Sequence, residues 1–232
     1  MITVYSHHQH GKSNLGWLES CFHFSFADYF NPERMQLGAL RVINDDLIAP
    51  KTGFATHPHK DMEIISYIVQ GSLTHTDSMG NHHTLTRGQV QYMSAGTGIK
   101  HSEYNLGESI TRLLQIWILP DKKDYKPRYG DYAFVWETRK NNWLHLVSSE
   151  IGNAPIKIYQ DANLFVIELE AGKTTEFVIN AGRQAYLVLI EGEALINNQL
   201  LSTRDGLEVV DESLSIMAKT ITHVLVIELS IA

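Results

Sequence analysis

Short runs of aliphatic, β-branched and aromatic residues, separated by turn residues, recur along the whole chain. Seven of these runs lie at 39–43, 64–69, 90–93, 113–119, 164–169, 186–190 and 224–229. Glycine-containing turns separate them, as at Gly53, Gly80 and Gly152. Long stretches with helical periodicity are nearly absent, and the better helix candidates lie at 197–201 and near the prolines of 120–131. Short strands with turns at this spacing predict an all-β sandwich or barrel.

One β unit occurs twice along the chain. Gly71 follows one apolar run and Gly192 follows another, 121 residues later. A second pair of glycines, Gly88 and Gly206, aligns at a separation of 118 residues. The segment 120–131 contains two prolines and three lysines but few aliphatic residues, so it is typical of a connection. The repeat therefore predicts two β domains, at 1–128 and 129–232.

Composition narrows the class of protein. Hydrophobic residues make up 44% of the 232 positions and charged residues 19%, a balance that excludes a disordered chain. The net charge of −7, without a basic cluster, argues against nucleic acid or an anionic membrane as a partner. The single cysteine, Cys21, excludes an internal disulfide and is expected to be a buried, inert thiol. Neither a signal peptide nor a membrane span is predicted, so we expect a cytoplasmic protein. We also expect it to be a monomer.

Two of the 12 histidines form the pair His57-Pro58-His59, with Glu63 four residues further on. Chance predicts only about 0.04 copies of this spacing in a chain of this composition. Alternate residues of a strand share one face, so His57 and His59 point the same way. Pro58 offers no N–H to a neighbouring strand and so holds the pair at a strand edge or end.

His101 and Glu103 repeat the alternate spacing after the glycine-rich turn 95–98. Two strands thus offer three imidazoles and one carboxylate to a shared interior. This set suits a first-row divalent ion, whereas calcium or magnesium would favour more oxygen ligands. Histidine and carboxylate ligands with open positions are also typical of non-haem Fe(II) dioxygen chemistry. The alternatives are a structural ion or a hydrogen-bonded polar core without metal.

A further pair, His8 and His10, lies in a polar stretch without an acidic neighbour. We expect this pair to belong to a solvated end of the chain with no role in metal binding.

The motifs resemble those of the cupin superfamily and, within it, the two-domain pirins. The first cupin motif is matched by Gly53, His57, His59, Glu63 and Gly71. The second is matched by Gly88, Gly96, His101 and Asn105. Similarity to the pirins extends over 41–46, 57–63, 77–81 and 93–103, and it is strongest to bacterial pirin-like quercetin 2,3-dioxygenases. The resemblance implies an all-β bicupin, two tandem antiparallel β-barrel (jelly-roll) domains.

The resemblance also implies a ligand set. In pirins the carboxylate ligand corresponds to Glu103, so the implied metal ligands are His57, His59, His101 and Glu103. Glu63 would then stand behind them and orient a ligand imidazole through its N–H. The implied cofactor is one divalent transition metal, Fe(II) in the first place, with Cu, Ni, Mn, Co or Zn as alternatives.

The second copy of the unit is expected to bind no metal. Carried over by the two registers, the positions of the ligands and of Glu63 fall on Val178, Asn180, Gln184, Lys219 and Ile221. We therefore expect a degenerate C-terminal cupin. His145 and His223, the only histidines of that half, are expected to be ordinary surface or core residues.

The implied reaction is the opening of a flavonol such as quercetin by dioxygen, with release of carbon monoxide. The metal would act as a Lewis acid toward the flavonol 3-hydroxyl, and Glu103 would accept its proton as the catalytic base. The candidate pocket residues, for which plain packing is the alternative, are Phe54, Met62, Met93, Gln115 and Trp117.

The resemblance to animal pirins implies a second class of function, that of a nuclear, non-enzymatic protein that binds partner proteins. There the redox state of the iron controls association with transcription regulators, and Glu103 would be a ligand only. A modulator that binds metabolic enzymes, a theme of bacterial pirins, is a third reading. A protein partner would replace the flavonol in both.

Overall fold

The computed structural model describes residues 1–231, which form an almost entirely β structure. No helix among these residues is long and apolar enough to cross a membrane. One short 3-10 helix spans Trp136–Arg139. The strands are β1 (Ile2–Tyr5), β2 (Gly11–Asn14), β3 (Leu18–Phe22), β4 (Leu40–Ile48), β5 (Thr52–His59), β6 (Glu63–Gln70), β7 (Ser72–Asp77), β8 (His82–Thr86), β9 (Val90–Ser94), β10 (Ile99–Asn105), β11 (Thr111–Ile118), β12 (Arg128–Tyr132), β13 (Leu144–Ser149), β14 (Ile156–Ile158), β15 (Ala162–Leu169), β16 (Thr174–Phe177), β17 (Arg183–Glu191), β18 (Glu193–Ile196), β19 (Gln199–Ser202), β20 (Gly206–Val210), β21 (Leu214–Ala218) and β22 (Thr222–Ser230).

The chain divides into two compact units. The first comprises Gly11–Phe134 together with Ile158–Gln160, and we call it the N-terminal domain. The second, the C-terminal domain, comprises Met1–His10, Val135–Lys157 and the residues from Asp161 onwards. This division differs from the sequence-based boundaries 1–128 and 129–232. The first ten residues belong with the C-terminal domain because β1 pairs with β20.

The N-terminal domain is a jelly roll of two antiparallel sheets. Its larger sheet has the order β12-β9-β6-β11-β4-β3-β2 and its smaller sheet the order β5-β10-β7-β8. A core cluster joins the two sheets, since Ile68 and Leu113 of the larger sheet belong to the same cluster as Leu73 and Leu85 of the smaller one. The central strands β6 and β11 are buried along almost their whole length, which accounts for their nearly unbroken apolar sequences.

The C-terminal domain has the same architecture. Its sheets have the orders β1-β20-β17-β22-β15-β13-β14 and β16-β21-β18-β19. Leu187 and Leu189 of the larger sheet lie in one core cluster with Ile196 and Ile216 of the smaller sheet. Strand β1 occupies the edge position that β12 takes in the N-terminal domain. The predicted all-β fold with two jelly-roll domains is therefore confirmed.

The repeat is confirmed, but one of the two predicted registers is wrong. Gly71 and Gly192 are equivalent, because both have positive φ and both face the start of the next central strand, at Ile110 O and Ile221 O. The equivalent of Gly88, however, is Arg204.

The two turns make the same hydrogen bonds. Gly88 N–H donates to Ile68 O over 2.8 Å, and Arg204 N–H donates to Leu189 O over 2.7 Å. Both residues have positive φ, at 80° and 73°. Because an arginine takes the left-handed conformation in the second turn, aligning Gly88 with Gly206 misplaces the register by two residues.

Strand pairing also corrects the positions predicted for the lost ligands. His101 lies opposite His57 in β10 and β5, and Leu214 lies opposite Phe177 in the matching strands β21 and β16. By the same pairing, Ile216 takes the place of Glu103. The positions predicted at Val178, Lys219 and Ile221 are therefore wrong, as is Asn180, since His59 corresponds to Ile179.

The four correct equivalents, Phe177, Ile179, Leu214 and Ile216, are buried members of the core cluster. Apolar packing thus fills the place of the polar cluster, in agreement with the expectation that every ligand is lost in the second copy. The predicted equivalence of Gln184 and Glu63 is correct. Glu63 pairs with Ser94 in the first copy, and Gln184 pairs with Val210 at the matching position of the second copy.

The predicted helix at 197–201 is wrong. Asn197 and Asn198 both have positive φ and form the tight turn between β18 and β19. A two-residue turn of this kind suits the twist of a hairpin, and asparagine tolerates it. The segment therefore forms a hairpin, and its fully buried Leu201 packs into the C-terminal core.

Candidate metal centre

Three histidines meet at the pairing of β5 with β10. His101 lies directly opposite His57, and the ring centroids of His57, His59 and His101 are 4.5–4.9 Å apart. One ring nitrogen of each lies within 4.8 Å of the others. The structure thus brings the three predicted imidazoles together.

A bulge in β5 shapes this arrangement. The register shifts between His101 and Glu103, so that His101 pairs with His57 but Glu103 pairs with Phe54. Phe54 and His57 are three positions apart, yet both line one cavity, because the extra residue reverses the alternation of the strand. Ala55, within the bulge, accepts a 2.8 Å hydrogen bond from His57 Nδ1. A carbonyl can only accept, so the proton of His57 lies on Nδ1 and the lone pair on Nε2.

The environment keeps two of these imidazoles, His59 and His101, neutral. Burial, together with the neighbouring rings of His101 and His57, lowers the pKa of His59 to about 4. Burial, together with the rings of His57 and His75, lowers the pKa of His101 to about 3. At neutral pH both side chains therefore offer unprotonated nitrogen, the form that binds a metal.

Glu103 is buried, with 1% of its surface exposed, and lines the same cavity as the three imidazoles. Gln115 Nε2 donates to its Oε2 over 2.8 Å. Ser66 Oγ lies 3.1 Å from Glu103 Oε1 and 3.0 Å from Gln115 Oε1. Its carboxylate is therefore held in one orientation by neutral donors.

The residues present fit a metal ion. His101 Nε2 is buried and has no hydrogen-bond partner within the described protein. Buried polar atoms are almost always paired, so this nitrogen requires an explanation. Three imidazole nitrogens and one carboxylate form a donor set suited to a divalent transition ion.

Glu63 is also buried, but its carboxylate is bound from another side. Ser94 Oγ donates to it at 2.5–2.6 Å, and the N–H of Tyr159 donates over 3.3 Å. Neither partner is one of the predicted ligand imidazoles, so an orienting role for Glu63 remains a prediction.

A cavity of about 620 Å³ adjoins the cluster. Three of the predicted pocket residues, Phe54, Gln115 and Trp117, line it. The other two, Met62 and Met93, are absent from this lining. Met93 is fully buried in a separate apolar cluster with Ile64, against which Met62 packs. Both methionines thus contact this apolar cluster, and neither lines the cavity.

Sequence reasoning missed part of the cavity wall. Trp17, Phe22 and Phe26 line the cavity together with Leu15 and Leu18. They come from β3 and its flanking loops, a region in which sequence reasoning considered only Cys21. That cysteine is buried, as expected. The sequence of β3, a strand between β2 and β4, carries no local signal that its aromatic side chains face a cavity.

A fourth histidine, His75, was also missed. It is fully buried on β7, and its Nδ1 lies 3.4 Å from His101 Nδ1. Its Nε2 lies 3.1 Å from Asp77 Oδ2, and its ring stacks on Tyr129 at 4.6 Å. The sequence signal was a His-x-Asp pair in a strand, two alternate residues that share one face.

The histidines outside the cluster differ in their exposure. His8 is exposed, as expected, but His10 is buried, with 6% exposure, so the description of a solvated end is wrong for His10. In the C-terminal domain, His145 contacts Asn163 and stacks on Phe165, and His223 is buried beside Glu191. None of these four belongs to a group of potential metal ligands among the described residues.

Comparison with known proteins agrees with the fold and the cluster. The family model for pirin matches residues 4–118, and that for the quercetinase C-terminal cupin domain matches residues 145–229. The quercetin 2,3-dioxygenase of Escherichia coli K12 is 41% identical over 231 residues, which cover 99% of each chain. A pirin-like protein of Caulobacter vibrioides is 44% identical over 204 residues, 88% of each chain.

The solved structures include the bacterial pirin YhhW from Escherichia coli in complex with nickel(II). It matches with a TM-score of 0.94 and 39% identity, over 100% of both chains. Similarity of this extent covers both jelly-roll domains. The chain therefore belongs to the pirin family.

Proposed function

We propose that this protein is a metal-dependent dioxygenase that opens flavonols such as quercetin and releases carbon monoxide. The observation that carries the proposal is the group of three imidazoles, with Glu103 in the wall of the same largely aromatic cavity. Relatives support it, since one is named quercetin 2,3-dioxygenase and another binds nickel(II). The proposed ligands are His57, His59, His101 and Glu103.

The cavity suits a flat aromatic substrate. Its volume of about 620 Å³ falls within the range of small-molecule sites, roughly 300–1,000 Å³. Trp17 and Phe54 meet edge to face at 5.2 Å and form one wall, and Trp117 meets His59 in the same way at 5.0 Å. Aromatic walls of this kind exclude water from the reacting atoms.

The chain's own residues provide a base at the end of the cavity. When bound, a divalent ion would supply Lewis acidity toward the flavonol 3-hydroxyl. Glu103 would accept the proton of that hydroxyl. Gln115 and Ser66 hold the carboxylate in place, so that it is oriented before the substrate enters.

The test is dioxygen consumption with quercetin. Protein purified without an affinity tag is first analysed for metal, and one ion per chain is expected. It is then loaded separately with iron, nickel, copper, manganese, cobalt or zinc. We expect turnover with at least one ion, with Fe(II) as the first candidate. Fully loaded protein that never consumes dioxygen with any of these ions would overturn the proposal and favour the sensor that binds a protein partner.

A further inference from the structure

We propose that His75 and Asp77 are positioning residues that fix the tautomer of His101 and thereby direct its Nε2 lone pair toward the metal. The inference rests on the proposed role of His101 as a ligand. It concerns a three-residue chain, Asp77–His75–His101, which we call the histidine relay.

The relay begins at a carboxylate whose hydrogen bonds are all satisfied. Asp77 Oδ1 accepts from the N–H groups of Met79 and Asn81, at 2.9 and 3.1 Å. Its Oδ2 accepts from Asn81 Nδ2 at 2.8 Å and lies 3.1 Å from His75 Nε2. Both carboxylate oxygens therefore accept from N–H donors, and Asp77 faces His75 as a hydrogen-bond acceptor.

The second step follows from hydrogen-bond valence. Because Asp77 can only accept, the proton of His75 lies on Nε2. In the neutral ring Nδ1 then carries a lone pair and can only accept. This Nδ1 lies 3.4 Å from His101 Nδ1. Two lone pairs cannot face each other at that distance, so His101 Nδ1 carries the proton that His75 accepts.

The last step reaches the metal cluster. With its proton on Nδ1, His101 has an unprotonated Nε2, which is the buried atom without a hydrogen-bond partner. Metal-binding histidines usually donate their other ring N–H to a carboxylate or carbonyl, which fixes the tautomer and ring orientation. His57 uses the carbonyl of Ala55 for this purpose. His101 uses a second imidazole, with a carboxylate behind it.

The surroundings leave no easy substitute for His75. The side chains of His75 and Asp77 are both 0% exposed, so bulk water cannot take over as the acceptor. The ring of His75 is also fixed by stacking on Tyr129, at an interplanar angle of 18°. A change at His75 that keeps a ring but removes its nitrogens therefore isolates the relay from packing.

The experiment compares two substitutions at one position. His75→Phe keeps an aromatic ring against Tyr129 but has no acceptor for His101, whereas His75→Gln restores one through its amide oxygen. His83→Gln is the matched control, because His83 lies opposite His75 on β8 and is exposed. Affinity for nickel(II) is measured by competition with a chelator in the full-length protein, without substrate.

We expect His75→Phe to weaken nickel binding by about 10–100-fold, the usual effect of losing an outer partner of a ligand. His75→Gln should recover most of the affinity, and His83→Gln should match the wild type. Asp77→Asn should also weaken binding, because an amide N–H facing His75 Nε2 reverses the tautomers along the relay. Equal nickel affinity in the wild type and in folded His75→Phe would overturn the inference.

A second measurement reports the tautomer directly. Nitrogen-15 NMR of the histidine rings in the metal-free protein should show His101 protonated on Nδ1 and bare on Nε2. The opposite tautomer in the wild type would overturn the relay even if every variant folds poorly. Neither readout uses turnover. Nickel affinity and the tautomer of His101 therefore test the relay even if the protein has no dioxygenase activity.

Discussion

Gln115 Nε2 donates a 2.8 Å hydrogen bond to Glu103 Oε2 from the neighbouring sheet of the N-terminal domain. Both side chains are buried, so the amide replaces the water that would otherwise solvate the carboxylate. Ser66, which lies opposite Gln115 on β6, places its hydroxyl near the other carboxylate oxygen. A glutamate on one sheet is thus oriented by two side chains of the other.

Removing this orienting amide should weaken metal binding. We expect Gln115→Leu to lower metal affinity by about 10–100-fold, since Glu103 would lose its buried donor and its fixed orientation. The measurement is chelator competition with nickel(II). Gln91→Leu is the matched control, because Gln91 is equally buried on the adjacent strand β9 and neither of its amide atoms is hydrogen-bonded. Equal losses in both variants would assign the effect to packing.

Glu103→Gln separates the ligand role from the base role. The amide keeps the size and one oxygen, and its NH2 group can face Ser66 while its oxygen accepts from Gln115. Three imidazoles remain, so the ion should stay bound, though more weakly. If Glu103 also accepts the flavonol proton, turnover should fall by about 10²–10⁴-fold. A metal-loaded variant as fast as the wild type would show that Glu103 takes no part in the chemistry.

Stability of the metal-free protein should depend on pH through two histidines. The pKa values of His59 and His101, about 4 and about 3, lie below the unfolded value of 6.5. As the pH falls below 6.5, the unfolded chain binds protons that the folded chain does not, so the free energy of unfolding decreases. For His101 the slope approaches about 1.4 kcal/mol per pH unit.

The comparison is urea unfolding at about pH 7 and about pH 4.5, for the wild type and His101→Gln. The same carboxylates are present in both proteins, whereas only the wild type has His101. The variant should therefore lose less stability on acidification. An identical pH dependence in the two proteins would contradict the prediction.

The N-terminal histidines should not affect the metal. We expect His8→Ala and the double variant with His10→Ala to retain the wild-type metal content, because neither residue belongs to the cluster. Since His10 is buried, its truncation should lower stability by about 1–3 kcal/mol. Metal content is measured on folded protein after removal of excess ion. Loss of the ion from folded His8→Ala protein would refute the prediction.

Two glycines of the C-terminal domain allow a matched test of the repeat. Gly192 has φ of +90°, and a Cβ there would meet Ile221 O and Thr222. Gly172 has φ of +79°, but a Cβ there would meet nothing within 4 Å. Gly172→Ala should cost about 1–2 kcal/mol from backbone strain alone. Gly192→Ala should cost more, because the strand end must also move. Urea unfolding measures both, and equal losses would contradict the close approach.

A repeated β unit could be predicted because the turn at Gly71 and Gly192 requires glycine in both copies, whereas the jelly-roll form was implied by the family resemblance. The register beyond it could not, because Arg204 adopts the left-handed conformation where the first copy has Gly88. Matching residue types is a poor guide to the register of a repeat when hydrogen bonds to the strand compensate the cost of positive φ. The strand pairings instead assign the lost ligands to buried apolar residues.

The imidazoles of the cluster could be predicted because alternation along a strand is local information. The contribution of β7 could not be predicted. His75 reaches His101 only because β7 pairs with β10, and the spacing of residues along the chain does not encode that pairing. The two methionines show the opposite error. Met62 and Met93 lie close in sequence to Glu63 and Ser94, yet Met93 is fully buried in an apolar cluster with Ile64 and does not line the cavity.

Strand β1 gives the chain an unusual order of assembly during synthesis. The N-terminal ammonium of Met1 donates to Val210 O, across 209 positions of sequence, and β1 pairs only with β20 in the large sheet. Strand β1 can therefore pair only after β20 has been synthesised. Residues 11–134 form a continuous segment that can fold in the meantime. A fragment starting at Val135 would present β20 as an open edge, a site for pairing with other chains.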